Sequence, residues 1–217
     1  MLALGAELFV DINRTLEDND RCTLVFGDGG MTSEQIASLE SELALPLPDD
    51  LKFLLRNVRE SDTGLSPWAS LDRAAYAAQM NWVHEGIAFD VEHANVWLRQ
   101  WGEQPRALSA ALEIARDDFA RWPKLFPLFG HRFLAVEPCL DGNPVFSVMQ
   151  TDIICYGANL AHYLLLELGP SRGYDHHTSE QNPRHISPWS DFAGNRDAIL
   201  AWPSGTFAAE RAPWRAH

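Results

Sequence analysis

Apolar residues between Phe126 and Leu168 fall into three short runs, which turn residues separate, and a longer apolar stretch follows them. The three runs lie within residues 126–136, 141–149 and 152–157. Short apolar runs bounded by glycine, proline and aspartate predict β-strands, and the stretch 159–168 predicts an apolar helix. We therefore expect a compact antiparallel meander that a packed helix closes. No pattern in this segment resembles a reaction centre, so we interpret it as the scaffold of a binding module.

Two further helices are predicted upstream, on either side of a proline-containing elbow. Thr32 and Gln35 form a capping-box pattern, in which the two side chains satisfy backbone N–H groups at the start of a helix. The apolar positions of this helix recur at helical spacing and are Ile36, Leu39 and Leu43. The Leu-Pro-Leu-Pro segment 45–48 ends it, because proline cannot continue a helix. The second helix is predicted to turn inward Leu51, Leu54, Leu55 and Val58.

Residues 61–104 are rich in aromatic side chains and show no sustained period, so we interpret them as a largely irregular insertion. Short helices are predicted within it at 71–80 and 94–101. The second of these would place Trp97 and Trp101 one turn apart. A longer helix is predicted from 105 to 122, with an apolar stripe formed by Leu108, Leu112, Ala115, Phe119 and Trp122.

Composition favours a soluble globular protein. The 217 residues are 46% apolar and 22% charged. No run of about eighteen apolar residues occurs and the first residues lack a basic segment, so neither a membrane span nor a secretory signal is expected. Cys22, Cys139 and Cys155 are too few and too dispersed for a disulfide framework, which indicates buried thiols in a reducing compartment. We therefore expect a cytoplasmic protein.

The charge of the chain limits the classes of partner that we expect it to bind. The net charge is −13, and residues 1–62 alone hold 13 acidic and 5 basic side chains. Such a field repels nucleic acid and raises the encounter rate with basic proteins. The alternative is that the acidic surface serves solubility. We expect a basic protein partner and neither direct nucleic-acid binding nor membrane binding.

A metal site is the most specific hypothesis under which this chain would be an enzyme. Asp175, His176, His177 and His185 lie within eleven residues, and histidine is a common metal ligand. Adjacent histidines in an extended loop rarely reach one metal, however, and the chain contains no His-Glu-x-x-His motif. We interpret this segment as a polar surface loop and expect no cofactor.

Nucleophilic catalysis is not indicated either. The chain has no Gly-x-Ser-x-Gly motif; Ser147 lies in the middle of a predicted strand, and Cys155 is expected to pack in the core. The pair His131–Arg132 is a candidate to bind an anion or, more often, to anchor a loop by hydrogen bonds. We therefore expect no catalytic residue.

Partner-binding residues are predicted from the aromatic insertion and from the turns of the meander. Tryptophan supplies a large contact area at little cost in entropy, and Trp68 and Trp82 lie in the segment that we interpret as irregular. Asp141 and Asp152 lie at predicted turns, where aspartate is also ordinary turn chemistry. We expect these four residues to contact the partner.

The order of these elements resembles the SUKH superfamily. The residues that carry the resemblance are the helix that begins at Thr32, the segment Leu47-Pro-Asp-Asp-Leu-Lys-Phe-Leu-Leu55, and the meander with its helix. The resemblance covers residues 31–168 and implies an α+β fold with a mostly antiparallel sheet, helices packed around it and no catalysis. It divides the chain into an extension (1–30), a core domain (31–170) with the aromatic insertion at 61–104, and a C-terminal extension (171–217) that packs on the core.

Bacterial members of this superfamily are commonly immunity proteins that bind a co-produced toxin, often a nuclease, and block it. The resemblance therefore implies a non-catalytic toxin-binding protein, and the acidic charge suits a basic toxin. Two alternatives stay open: a regulatory scaffold of the same fold that binds a cellular protein, and a metal-dependent hydrolase that uses Asp175, His176, His177 and His185.

Overall fold

A computed structural model describes residues 24–26, 29–60, 68, 71–168 and 182–201. These residues form six α-helices and six strands. The helices are α1 (Ser33–Leu43), α2 (Asp49–Arg56), α3 (Arg73–His93), α4 (Leu108–Phe119), α5 (Leu160–Leu168) and α6 (Trp189–Ile199). The strands are β1 (Leu24–Phe26), β2 (Val58–Glu60), β3 (Leu125–Phe129), β4 (Arg132–Ala135), β5 (Val145–Met149) and β6 (Asp152–Gly157). The expected α+β class is confirmed.

Strands β3 to β6 form an antiparallel meander in sequence order. The first predicted run, 126–136, is two strands rather than one, because the chain reverses at Gly130 with a φ of +51° that glycine adopts freely. The next hairpin reverses at Gln150, whose φ is +57°. A separate two-stranded antiparallel sheet joins β1 to β2. Val58, which was expected in the second helix, begins β2 instead.

Helices cover the meander on both faces. Alternate strand residues pack against different helices, as β4 illustrates: Leu134 lies in a core with α1, α2 and α5, whereas Phe133 lies in a core with α3, α4 and α6. Both residues are at most 1% exposed. Burial on both faces explains why β3, β4 and β5 read as continuous apolar runs rather than as apolar and polar residues in alternation.

The outer edge of β3 is blocked by proline and by aromatic donors. Pro127 has no backbone N–H to offer, and its carbonyl accepts a hydrogen bond from Trp68 Nε1 at 3.0 Å. The carbonyl of Leu125 accepts a hydrogen bond from the Tyr76 hydroxyl at 2.9 Å. An edge strand with satisfied carbonyls and a proline is a poor template for another strand.

Local signals set the first two helices as expected. Thr32 and Gln35 make both hydrogen bonds of the capping box, and Ile36, Leu39 and Leu43 are buried. The helix ends at Ala44, which adopts a φ of +51°. After the elbow, α2 begins at Asp49 and buries Leu51, Leu54 and Leu55. Asp49 and Asp50 lie in its first turn, where the helix dipole favours negative charge.

The region 61–104 differs most from the sequence-based expectation. The helix predicted at 71–80 extends from Arg73 to His93, and the helix predicted at 94–101 is absent except for a 3₁₀ turn at Arg99–Trp101. Valine, aromatic residues and Gly86 lower the helix propensity of the second half of α3. Burial of Val83, Ile87 and Val91 on one face supplies the stability that propensity does not.

Tertiary contacts bring the predicted tryptophan pair together without the predicted helix. The rings of Trp97 and Trp101 meet edge to face at 4.9 Å. Asp118 of α4 accepts hydrogen bonds from the indole N–H groups of Trp101 and Trp122 at 2.8 and 2.9 Å. In the predicted α4 stripe, Ala115, Phe119 and Trp122 are buried, but Leu108 lies at the first turn and is exposed.

Residues 182–201 pack on the sheet core. The indole of Trp189 donates a hydrogen bond to the Pro123 carbonyl at 2.8 Å and meets the Trp122 ring edge to face at 5.0 Å. Trp189 and Phe192 belong to the same core as Phe133 and Phe146 of the sheet. This segment therefore supplies one of the layers that cover the meander.

Candidate partner-binding surface

Helix α3 carries four exposed residues on one face, Trp82, Glu85, Phe89 and Glu92, which we call the α3 stripe. Trp82 is 44% exposed and Phe89 is 47% exposed, and both carboxylate side chains reach solvent. Spacings of three and four residues place the four side chains in one row along the helix. Large exposed aromatic residues are typical of protein interfaces.

The Phe89 ring is oriented within the helix by His93. The two rings stack with centroids 4.1 Å apart. His93 Nδ1 also lies 3.1 Å from the Phe89 carbonyl oxygen. A stacked ring loses less side-chain freedom when a partner binds.

Helix α3 is held at its N-terminus and beside Gly86. Asp72 caps its N-terminus by accepting a hydrogen bond from Ala75 N at 2.7 Å, and Arg73 Nε donates to the Glu42 carbonyl at 2.9 Å. Gly86 lies so close to the β5–β6 hairpin that a Cβ there would meet Gln150 Cα at 3.2 Å. These contacts hold helix α3, and with it the α3 stripe, in a fixed position on the fold.

Asp90 clamps the same helix to the β5–β6 hairpin. Its carboxylate is buried and accepts hydrogen bonds from both the backbone N–H and the hydroxyl of Thr151, at 2.9 and 2.5 Å. Arg196 of α6 donates to the Thr151 hydroxyl at 2.9 Å. Three elements that are distant in sequence therefore meet at one polar network, of which Asp90 and Thr151 are buried.

Replacing Asp90 with alanine is expected to lower the free energy of unfolding by about 2–4 kcal/mol, because it leaves the buried Thr151 N–H without an acceptor. Urea unfolding measures this difference. Asp152→Ala is the matched control, since this neighbouring aspartate is exposed and should change stability by no more than about 0.5 kcal/mol. Equal stability of the two variants would contradict the clamp.

Trp68 lies in the core rather than at the surface. Only 2% of its surface is exposed, and its indole N–H donates to the carbonyl of Pro127. This corrects the expectation of a surface tryptophan, because the flanking composition gave no sign that the ring fills the space beside β3. Trp82 is exposed as expected, but it lies on a regular helix and not in an irregular segment.

Asp141 ties the loop after β4 to the start of α2. Its Oδ1 accepts a hydrogen bond from Asp50 N at 2.9 Å, while Gly142 N donates to Asp50 Oδ2 at 2.9 Å. Burial, and after it the charge of Asp141, raise the pKa of Asp50, although the Gly142 hydrogen bond opposes them. Asp141 itself is exposed. It lies on a different part of the molecule from the hairpin that contacts α3.

Asp152 opens β6 and is exposed. In the β5–β6 register it pairs with Met149, and Ile154 pairs with Ser147. Directly opposed residues share a face of a sheet, so Asp152, Met149 and Ile154 lie on the same face. Met149 and Ile154 are exposed apolar residues. Asp152 therefore borders a small apolar area at the hairpin end of the sheet.

The pair His131–Arg132 anchors structure around the sheet. Arg132 Nη1 hydrogen-bonds to His131 Nε2 and donates to Ser147 Oγ at 2.9 Å, and the guanidinium lies 3.9 Å above the Tyr156 ring. Its Nε also lies 3.7 Å from Glu167 of α5. Burial, and after it the Arg132 charge, lower the pKa of His131. The arginine thus links three strands to a helix.

The candidate nucleophiles occupy different environments from those expected. Ser147 is buried in β5, and its hydroxyl is engaged by Arg132. Cys139 and Cys155 are exposed, so the expectation that Cys155 packs in the core is wrong. Cys155 lies on β6, which has a strand neighbour on one side only in the described part of the chain. Cys22 lies outside the described residues.

The histidine-rich segment is described only in part. His185 Nε2 lies 2.8 Å from Asp191 Oδ1, and Ser187 donates to the other oxygen of the same carboxylate at 2.5 Å. Asp175, His176 and His177 lie outside the described residues. Among the residues that are described, no group of three or more histidine, cysteine, aspartate or glutamate side chains is placed to hold a metal ion.

Glu85, Phe89 and Glu92 are the surface residues that the sequence-based reasoning missed. Their spacing from Trp82 is visible in the sequence. It becomes informative only once the helix is known to continue to His93, and the prediction ended that helix at residue 80. The apolar periodicity of the helix is no guide here either, because the helix exposes Trp82 and Phe89 and buries Asp90.

Across residues 24–26, 29–60, 68, 71–168 and 182–201, no helix combines the length and apolarity that a membrane crossing needs. Comparison of the chain with protein-family models, with curated proteins and with solved structures finds no match.

Proposed function

We propose that this chain is a non-catalytic cytoplasmic immunity protein, which binds a basic protein toxin and blocks it by occlusion. The α3 stripe carries this proposal: two exposed aromatic side chains and two carboxylates lie in one row on a helix that is fixed from behind. A preorganised aromatic anchor loses little entropy on binding. The net charge of −13 would steer a basic protein, such as a nuclease, towards it.

Two further points support the proposal. Arg132, Ser147 and Asp141, which were weighed as possible site residues, are engaged in contacts that join secondary-structure elements. The resemblance of residues 31–168 to the SUKH superfamily implies the same class of function. The toxin is expected from the gene beside this one, because an immunity protein protects the cell that makes the toxin.

Co-expression with the product of the neighbouring gene tests the proposal. The wild-type chain is expected to restore growth and to form a stable complex with the toxin, as size-exclusion chromatography would show. The Trp82→Ala/Phe89→Ala variant is expected to lose roughly 30-fold or more in affinity, since aromatic anchors dominate interface energies. Leu140→Ala is the matched control, because Leu140 is an exposed apolar residue of the loop after β4. Absence of both rescue and complex with a folded wild-type chain would refute the proposal.

A further inference from the structure

We infer that the partner docks an amphipathic helix with alternating apolar and basic positions along the α3 stripe. This inference rests on the proposed function and names the chemistry of the partner. Trp82, Glu85, Phe89 and Glu92 are separated by three, four and three residues, which is the spacing of the a and d positions of a helix–helix seam. The seam spans about 15 Å at 1.5 Å per residue.

Aromatic and acidic residues alternate along this seam. Trp82 and Phe89 are one heptad apart, and so are Glu85 and Glu92. A facing helix must therefore supply apolar side chains opposite the aromatic rings, and lysine or arginine opposite the carboxylates. A carboxylate that a seam buries without a cation loses its hydration and costs free energy, so the same alternation rejects helices that lack the basic residues.

The sequence of the segment that carries the stripe favours a cationic partner. No lysine or arginine occurs between Arg73 and Arg99. Asp90, the third acid in this interval, is turned inward to the Thr151 network. The two carboxylates of the stripe are exposed and have no lysine or arginine after them on their own helix, whose last turn carries His93 stacked on Phe89.

A second copy of this chain fits the stripe poorly. In an antiparallel twofold pairing, Trp82 of each copy would face Phe89 of the other, which places the twofold axis beside Glu85 and Gly86. The two Glu85 carboxylates would then approach each other, and like charges that face each other across a seam repel. Two chains that each carry a net charge of −13 also repel at longer range. Charge therefore favours a basic partner over self-association.

The inference is tested with a fluorescent peptide of about three heptads, with leucine at the a positions, lysine at the d positions, and alanine and glutamine elsewhere. Fluorescence anisotropy with the full-length chain measures its Kd. Trp82→Ala/Phe89→Ala is expected to raise the Kd roughly tenfold. Glu85→Lys/Glu92→Lys is expected to raise it roughly a hundredfold, since it replaces attraction by repulsion. Added salt should weaken wild-type binding.

Two controls test whether peptide binding depends on the α3 stripe itself or only on the overall charge and apolarity of the two molecules. Glu113→Lys/Asp117→Lys makes the same charge change on the exposed face of α4 and is expected to change the Kd by no more than about threefold. A peptide with glutamate in place of lysine is expected not to bind. Equal binding of all protein variants, equal binding of a scrambled peptide, or no binding of the lysine peptide would each overturn the inference. So would a wild-type dimer that Trp82→Ala/Phe89→Ala dissociates, because the occupant would then be a second copy.

The outcomes distinguish this inference from the proposed function. If the Glu85→Lys/Glu92→Lys variant no longer binds the peptide but still protects cells from the toxin, the inference that the partner docks along the α3 stripe is wrong. The proposed immunity function then stands. If the peptide binds as described but the neighbouring gene product is neither bound nor neutralised, the seam stands and its partner is another basic protein.

Discussion

Replacing Trp68 with alanine is expected to lower the free energy of unfolding by about 3–5 kcal/mol, the usual cost of removing a buried aromatic ring. The ring is 2% exposed, and its N–H satisfies a carbonyl on the edge of the sheet. Truncation therefore leaves both a cavity and an unpaired acceptor. The same substitution at Trp82 is expected to change stability by no more than about 0.5 kcal/mol, because surface substitutions rarely cost more.

Urea unfolding followed by circular dichroism measures both variants. A lower midpoint at an unchanged slope is the expected signature for Trp68→Ala, since the native fold should persist with less stability. Both variants make the same substitution, and the gain in helix propensity at Trp82 is below about 0.7 kcal/mol, so a larger difference between them reflects burial. A Trp68→Ala protein as stable as Trp82→Ala would show that the ring does not fill the core beside β3.

Replacing Asp118 with alanine is expected to lower the free energy of unfolding by about 2–3 kcal/mol, because it leaves indole N–H groups without their charged acceptor. One oxygen, Oδ2, accepts hydrogen bonds from Gln100, Trp101 and Trp122, and the other accepts from Arg121. Burial raises the pKa of Asp118, but these hydrogen bonds together outweigh burial and hold the pKa below its usual value.

The contribution of Asp118 should depend on pH in a defined direction. A depressed carboxyl pKa means that the stabilisation is fully present above the unfolded-state value of about 3.9 and is lost as the pH falls through the folded-state value. The stability gap between wild type and Asp118→Ala should therefore be constant near neutral pH and shrink in acid. Thermal unfolding across this pH range measures the gap. Asp117→Ala, at the exposed neighbouring position, serves as control, and a gap that widens in acid would contradict the assignment.

Elements with local signals were predicted correctly from the sequence. Helix α1 has both partners of its capping box and three apolar residues at helical spacing, and α2 follows a proline elbow with two aspartates in its first turn. The meander carries glycine, proline and aspartate at its turns. These signals act within a few residues, so they can be recognised without knowledge of any tertiary contact.

Helix α3 shows why other elements were not predicted. Its second half contains residues of low helix propensity, and it is stabilised by packing against the sheet and by hydrogen bonds between Asp90 and Thr151. Thr151 is far from Asp90 in sequence, so no local sequence pattern predicts the contact between them. The same reason applies to Asp118, because its donors Gln100 and Trp101 lie 18 and 17 residues away in sequence.

The tryptophans divide in the same way. Trp68 and Trp82 belong to one aromatic segment and were predicted to share one role, yet the first fills the core and the second faces solvent. Composition gives the number of aromatic rings, but it does not say which of them are buried. Whether a ring is buried depends on the space that the helices on one face of the sheet leave beside β3.

The sequence by itself determined the α+β class, the meander with its helix, and the elbow between α1 and α2, because capping, turn chemistry and apolar period are local properties of the chain. Only the tertiary structure decided that α3 continues to His93, that Trp68 is internal, and that Trp82, Glu85, Phe89 and Glu92 form one exposed row. Burial depends on which distant segments cover a surface. The residues proposed to meet a partner remain exposed because no other described part of this chain covers them.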